Sequence, residues 1–466
     1  MSENIVQSVP GPKPFSGIIS ILRILNQLNR DTLGTTRRWL GQYGDIVALQ
    51  FGKQKMYVTI RPAFLHHILV TEASKFNKDN DYKNPKSGLA RFLGNGILTS
   101  DGEFWKRQRK LVAPALHAKR VASYADLIVE HTSKMLDGWR SGTHMEISRE
   151  MLSVTMKIIA EILFHLDVSE DIQRVEEAVH AMQQFSSTRQ VLPTWIPTRL
   201  ELRARHATRE LDEVIYRIIR QRRESGEDRG DLISMLMAAR DDDGQPMSAK
   251  QMRDELVTLF IAGHETTANT LDWAFYLLAQ NPDIERKLHE ELDSVLEGTL
   301  PTFADLSRLP YLDKVIKEVM RLYPAAWGVS REAMEDIELG EYKIPKGSVV
   351  GLMLYFTHHD ARFFVDPERF DPERFSPENE KQIPEYAYLP FGGGPRICVG
   401  NSLAMMETRL IVATIASRYR LLLAPGQTVA MDPLITLNPK GGMSMTVVAR
   451  DPVSSSQSAE PERVAL

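Results

Sequence analysis

The chain has 466 residues, a formal net charge of −4 and 25% charged residues. That balance excludes a nucleic-acid binder acting through bulk electrostatics and a disordered polyanion, and leaves an enzyme-sized globular protein. With one cysteine, Cys398, the chain can build neither a disulfide framework nor a multi-thiolate metal cluster.

Residues 1–14 read as a flexible N-terminus, 15–451 as one domain without repeats or long linkers, and 452–466, rich in Ser, Glu and Pro, as a disordered tail. The start carries Glu3 and no basic region, and the apolar stretch Ile18 to Leu28 is short and broken by Arg23 and Asn26. Neither a signal peptide nor a membrane-spanning helix is expected, so the protein reads as soluble and cytoplasmic. Val47 to Ile60 reads as a strand group. Lys53, Lys55 and Tyr57 within it read as ordinary residues of an edge strand, ahead of a carboxylate anchor at a channel mouth. Trp105 and Arg109, four apart, share a helical face. Lys106, Arg107, Lys110, Lys119 and Arg120 form a run of surface cations around them.

Helical patterns dominate between residues 110 and 325, interrupted by Val191 to Pro197, an apolar, proline-broken stretch suited to a mobile lid. Ser248 followed by Gln251 is a capping-box signature, and the pattern then runs from Ala249 to Asn281-Pro282. Such a helix of roughly 30 residues is about 45 Å long. Its middle reads Ala262-Gly263-His264-Glu265-Thr266-Thr267; the glycine and the threonine hydroxyls predict a local widening or kink. Ala268 stands where H-E-x-x-H needs its second histidine, which removes a metalloprotease reading. Glu318 and Arg321 share a face of a helix over Tyr311 to Leu322, and Ile337 to Leu354 forms a second strand group punctuated by Gly340, Pro345 and Gly347. The fold class expected is mostly α with a minor β region.

Cys398 lies in Phe391-Gly392-Gly393-Gly394-Pro395-Arg396-Ile397-Cys398-Val399-Gly400, ahead of a helical pattern over Ser402 to Leu422. With no partner thiol, the single-thiolate option left is the axial ligand of haem iron. Glycines let backbone approach a flat macrocycle, and N–H groups at a helix start stabilise a thiolate. Arg396 is placed to reach a haem propionate and Phe391 to shield the sulfur. The segment resembles the cysteine-ligand pattern F-x-x-G-x-R-x-C-x-G of the cytochrome P-450 family, matched at Phe391, Gly394, Arg396, Cys398 and Gly400. Residues 262–267 are similar to the family's A/G-G-x-D/E-T-T, Glu318 and Arg321 to its E-x-x-R, and Trp105 and Arg109 to its W-x-x-x-R.

This resemblance implies a cytochrome P-450 fold with haem b between the long central helix and the cysteine-loop helix, Cys398 being the axial ligand. It implies that Thr266 lines the oxygen pocket beside Ala262, and that Glu265 helps deliver protons. Trp105, Arg109, Arg331 and Arg396 then contact propionates, and Arg374 joins Glu318 and Arg321 in a buried scaffold network. Phe260, Ile261, Ala262, Ala325, Ala326, Trp327, Val329 and Leu437 are expected to line an apolar substrate space. The activity implied is dioxygen-dependent hydroxylation or epoxidation of a fatty acid, terpenoid or steroid-like molecule. Electrons would come from a separate ferredoxin or flavodoxin with its NAD(P)H reductase, docked on the basic run. The expectation is a bacterial monomer without membrane anchor. The alternatives are a peroxygenase or hydroperoxide isomerase, against which the Glu265-Thr266 pair speaks, and a non-catalytic haem sensor.

Overall fold

In the computed structural model, which describes residues 7–52, 54–165, 172–187, 198–427 and 429–450, the long helix spans Ala249–Gln280. Its start is the predicted capping box: the Ser248 hydroxyl accepts from the Gln251 N–H at 3.2 Å, and the Gln251 side chain accepts from the Ser248 N–H at 2.9 Å. Leu256, Val257, Ala268, Leu271, Trp273 and Ala274 are all buried, so the helix is core on nearly every side. Burial of each large apolar side chain there contributes about 1.5–3 kcal/mol. Residues 249–280 are α-helical without interruption, so the widening expected at Gly263 is not seen. The glycine serves packing instead. A Cβ at 263 would lie 2.8 Å from Ile159 on helix Ile147–Phe164, the element most extensively packed against the long helix. The threonines do back-bond as expected, Thr266 to the Ala262 carbonyl at 2.8 Å and Thr270 to that of Thr266 at 2.9 Å.

The cysteine-side helix runs Asn401–Ala416, with Gly400 as its cap. The pattern read as continuing to Leu422 changes period there: Tyr419–Leu423 is a strand paired antiparallel with Ser444–Ala449, Leu421 pointing inward. The β region otherwise forms where the sequence places it. Five strands lie in the order Ile46–Phe51, Gln54–Thr59, Val349–Leu352, Val329–Ala333, Phe76–Asn77. Gln54–Thr59 pairs antiparallel with its hairpin partner and parallel with Val349–Leu352, in register Met56↔Val349. It is therefore an inner strand, where an edge was expected; Tyr57 is buried, Lys55 is exposed, and Lys53 lies outside the described residues. Residues 7–14 are tied to the β region: Ala48 N in this sheet donates to the Pro10 carbonyl at 2.8 Å, and Gln7 N donates to the carbonyl of Glu341 in the separate hairpin Ile337–Leu339/Tyr342–Ile344 at 3.0 Å. The predicted lid Val191 to Pro197 and the tail 452–466 fall outside the described residues. Among the described residues no helix is long and apolar enough to cross a membrane.

Candidate haem and oxygen site

The cysteine loop is shaped by hydrogen bonds to its own backbone. Cys398 N donates to the Phe391 carbonyl at 3.0 Å, which folds the segment over a short turn at Gly394–Arg396. Gly394 has φ 65°, and a Cβ there would come within 1.9 Å of the Leu69 carbonyl oxygen. Its lack of a side chain thus lets backbone meet backbone, in addition to any approach to a macrocycle. Cys398 remains accessible although protein encloses it closely. Desolvation raises its thiol pKa, while the Gly400 N–H and the Arg109 guanidinium push the other way. Arg109 reaches it from helix Gly102–Val112, donating Nη1–H to the Ile397 carbonyl at 2.7 Å. Burial lowers the pKa of Arg109 and the neighbouring thiolate partly restores it.

Around this loop the chain gathers cations. The Arg396 guanidinium lies over the Trp105 ring at 4.3 Å and donates to Asp101 at 2.6 Å and to the Ser100 carbonyl at 3.0 Å. Asp101 precedes helix Gly102–Val112 in the N-cap position, yet its carboxylate makes no cap there and is engaged by Arg396 and by the N–H of Lys78. Arg331 sits in strand Val329–Ala333 and is 7% exposed, a buried cation and not a surface one. Lys78 was not legible as a site residue. It stands among Asn77, Asp79 and Asn80 as ordinary surface charge would, but it is 5% exposed, with its ammonium 3.9 Å above the Tyr82 ring. Its pKa is driven well below the ordinary value, first by burial and then by Arg331 and Arg396. Burial likewise brings Arg396 down to about 10, with Asp101 opposing and Arg331 adding to the shift.

Among the described residues neither Lys78 nor Arg331 has a carboxylate within ion-pair distance. Buried cations short of counter-charge are expensive unless an anion completes them. The two propionates of a haem are anions of the right number and kind, and the accessible thiol next to Arg109 fits its axial ligand.

On the long helix, successive residues turn by about 100°, so Glu265 and Thr266 face different ways. Thr266 and Ala262 are on the accessible side, whereas Glu265 is 3% exposed and accepts a short hydrogen bond from the Thr436 hydroxyl. His264 is buried, with Nδ1 2.7 Å from the Phe260 carbonyl, and burial lowers its pKa to about 4. Of the apolar residues expected to line the substrate space, Ile261, Ala262, Ala325, Ala326, Trp327 and Val329 keep accessible surface. Phe260 and Leu437 do not: the Phe260 ring packs against Phe164 and His264, and Leu437 is fully buried beside Trp273, whose indole N–H donates to its carbonyl at 2.9 Å. Both are core residues.

Glu318, Arg321 and Arg374 meet as expected. Arg321 donates to both Glu318 oxygens at 2.7 and 2.8 Å, and Arg374 Nε to one of them at 3.2 Å. The basic run differs from expectation: Lys106 pairs with Glu103 at 2.6 Å and Arg107 with Asp241 at 2.7 Å, and Lys110 pairs with Asp242. The acidic turn at residues 241–243, far away in sequence, folds back on the cations and neutralises much of the patch.

The cytochrome P450 family model matches residues 9–445. Cyclooctat-9-en-7-ol 5-monooxygenase of Streptomyces melanosporofaciens is 36% identical over 397 residues, 84% of this chain and 85% of that protein. Pentalenene oxygenase of Streptomyces avermitilis is 30% identical over 417 residues, 89% of this chain and 92% of that one. A solved structure of a cyanobacterial CYP120A1 with retinoic acid bound superposes with a TM-score of 0.84 at 26% identity, covering 96% of this chain and 100% of that one.

Proposed function

Because the chain belongs to the cytochrome P450 family and is an oxidoreductase of the P450 monooxygenase type, we propose that it hydroxylates or epoxidises a lipophilic terpenoid-class substrate, using haem b and a separate ferredoxin or flavodoxin. The observation that carries the reading is the cationic set of buried Lys78 and Arg331 with the partly buried Arg396 and Arg109, gathered around the loop of the chain's one cysteine. The substrate class is supported by the apolar wall of Ile261, Ala262, Ala325, Trp327 and Val329 and by relatives named for cyclooctat-9-en-7-ol and pentalenene.

In this reading Cys398 supplies the thiolate; desolvation alone raises its pKa, and the Gly400 N–H and the Arg109 guanidinium act against that rise. Arg109, Arg331, Arg396, Lys78 and the Trp105 indole hold the propionates. Bound haem with a thiolate ligand supplies the activation of dioxygen by two electrons and two protons. The Thr266 hydroxyl, on the accessible face beside Ala262, gives its proton to the Ala262 carbonyl and presents its lone pairs at that face as a hydrogen-bond acceptor. The Glu265 carboxyl passes protons toward it, and the apolar wall holds the substrate and keeps bulk water out.

The test is spectroscopic. The reduced protein treated with carbon monoxide should show the far-red Soret band of thiolate ligation, and Cys398→Ser should abolish it; absence of the band, or its survival in the variant, defeats the reading. Titration with lipophilic compounds, following displacement of water from ferric iron, then ranks terpenoids against fatty acids and steroids.

A further inference from the structure

A buried carboxyl that handles protons has to be aimed, and the residue that aims Glu265 is not on its own helix. Strands Met431–Pro433 and Leu437–Pro439 form a two-stranded hairpin, and Thr436 lies at its tip, 6% exposed. The tip is fixed from three sides. Leu437 N donates to the Ala325 carbonyl at 3.0 Å, the Trp327 indole to the Leu434 carbonyl at 2.9 Å, and the Trp273 indole to the Leu437 carbonyl at 2.9 Å.

A threonine hydroxyl has one proton and two lone pairs. Here Asn269 Nδ2 donates to Thr436 Oγ1 at 3.0 Å and Asn438 Nδ2 at 3.2 Å. Both amides are donors, so the hydroxyl oxygen has its two acceptor positions taken. Its proton is left to Glu265 Oε1, to which Thr436 donates. The two amides thus lock the hydroxyl as a donor, and the pinned hairpin locks its position. Asn269 stands one helical turn after Glu265, so the same face of the long helix supplies both the acid and the group that orients its donor.

We propose that Thr436 is a positioning residue for the Glu265 carboxyl, its hydroxyl held as an obligate donor by Asn269 and Asn438. The role of Glu265 in proton delivery rests on the monooxygenase reading above; its placement by Thr436 does not. Loss of the hydroxyl removes the donor that fixes Oε1 of this buried carboxyl, and protons then arrive less reliably at the Thr266 face.

The experiment compares wild type, Thr436→Val, which keeps the shape, and Thr436→Ser, which keeps the hydroxyl. The first readout is infrared absorption of the resting protein, with the Glu265 carboxyl bands identified by difference against Glu265→Gln. The second is peroxide released per NADPH oxidised with a surrogate ferredoxin and reductase. Thr436→Val should shift the Glu265 band and raise peroxide release several-fold, and Thr436→Ser should return both toward wild type. An unmoved band in Thr436→Val, or a serine variant that behaves as the valine one does, overturns the proposal. If Thr436→Val does not fold, Asn269→Leu frees the hydroxyl to rotate and should move the same band; a band identical to wild type there overturns it equally. Failure of the monooxygenase reading would show separately, as a missing thiolate Soret band in wild type.

Discussion

Glu318 and Arg321 have no accessible side-chain surface, and the pair is completed by Arg374 and by the Asp371 N–H. Desolvation pushes the Glu318 carboxyl pKa up, and the contacts with Arg321 act against it. A buried pair of this kind is costly to break because the surviving charge stays buried. Glu318→Gln should destabilise the fold by about 3–5 kcal/mol, read as a lowered urea midpoint with unchanged slope. A loss below about 1 kcal/mol, the range of an exposed pair, would mean that Arg321 finds its counter-charge elsewhere. Glu318 and Arg321, like Trp105 and Arg109, were legible because fixed helical spacing shows which side chains share a face, whereas Arg374 followed only from the family resemblance and Cys398 from its solitude in a glycine-rich loop. Lys78, Asp101 and Thr436 were not. Each depends on a partner distant in sequence: Arg331 and Arg396 for Lys78, Arg396 for Asp101, and Glu265 for Thr436. No local periodicity encodes such a meeting.

Two adjacent acids at the start of the long helix tether the segment that leads into the cationic cluster. Asn95 N donates to Asp254 at 2.9 Å and Ile97 N to Glu255 at 3.0 Å, while Gly94 leaves room for the Asp254 carboxylate. Burial pushes the Glu255 pKa up to about 8, with the Ile97 N–H opposing and Asp254 adding to the shift. A folded-state pKa above the unfolded one means that the stabilisation is complete below the ordinary carboxylate range and is lost as pH rises toward 8. Glu255→Gln keeps the acceptor for Ile97 and removes the titration. Relative to that variant, wild type should lose up to about 1.4 kcal/mol per pH unit between pH 5 and 8, and its Ile97 amide should exchange faster at the upper end. Parallel stability profiles for the two proteins would refute this. At this scale the sequence revealed the long helix and its cap, because a capping box and a proline stop are local. It misread Gly263, whose purpose is the close approach of Ile159 from another helix, and it ran the cysteine-side helix past Ala416, because strand Tyr419–Leu423 depends on pairing with Ser444–Ala449.

Over the whole molecule the net charge of −4 is small, so surface recognition depends on local arrangement. With Arg107 and Lys110 held by Asp241 and Asp242, the face beside helix Gly102–Val112 presents fewer free cations than its sequence implies. Replacing both acids, Asp241→Asn with Asp242→Asn, should tighten binding of an acidic ferredoxin several-fold at low salt. The gain should vanish as ionic strength shortens the screening length below about 10 Å. No gain at low salt would place the docking face elsewhere. The five-stranded sheet carries a different consequence. Gln54–Thr59 has one neighbour in its own hairpin and the other in Val349–Leu352, almost three hundred residues later. On a ribosome adding about 5–20 residues per second, the hairpin waits roughly 15–60 s with one edge bare. The last third of the chain therefore finishes a sheet begun in its first tenth. Interruption of synthesis before residue 349 leaves an open strand edge of the kind that chaperones shield and aggregates exploit.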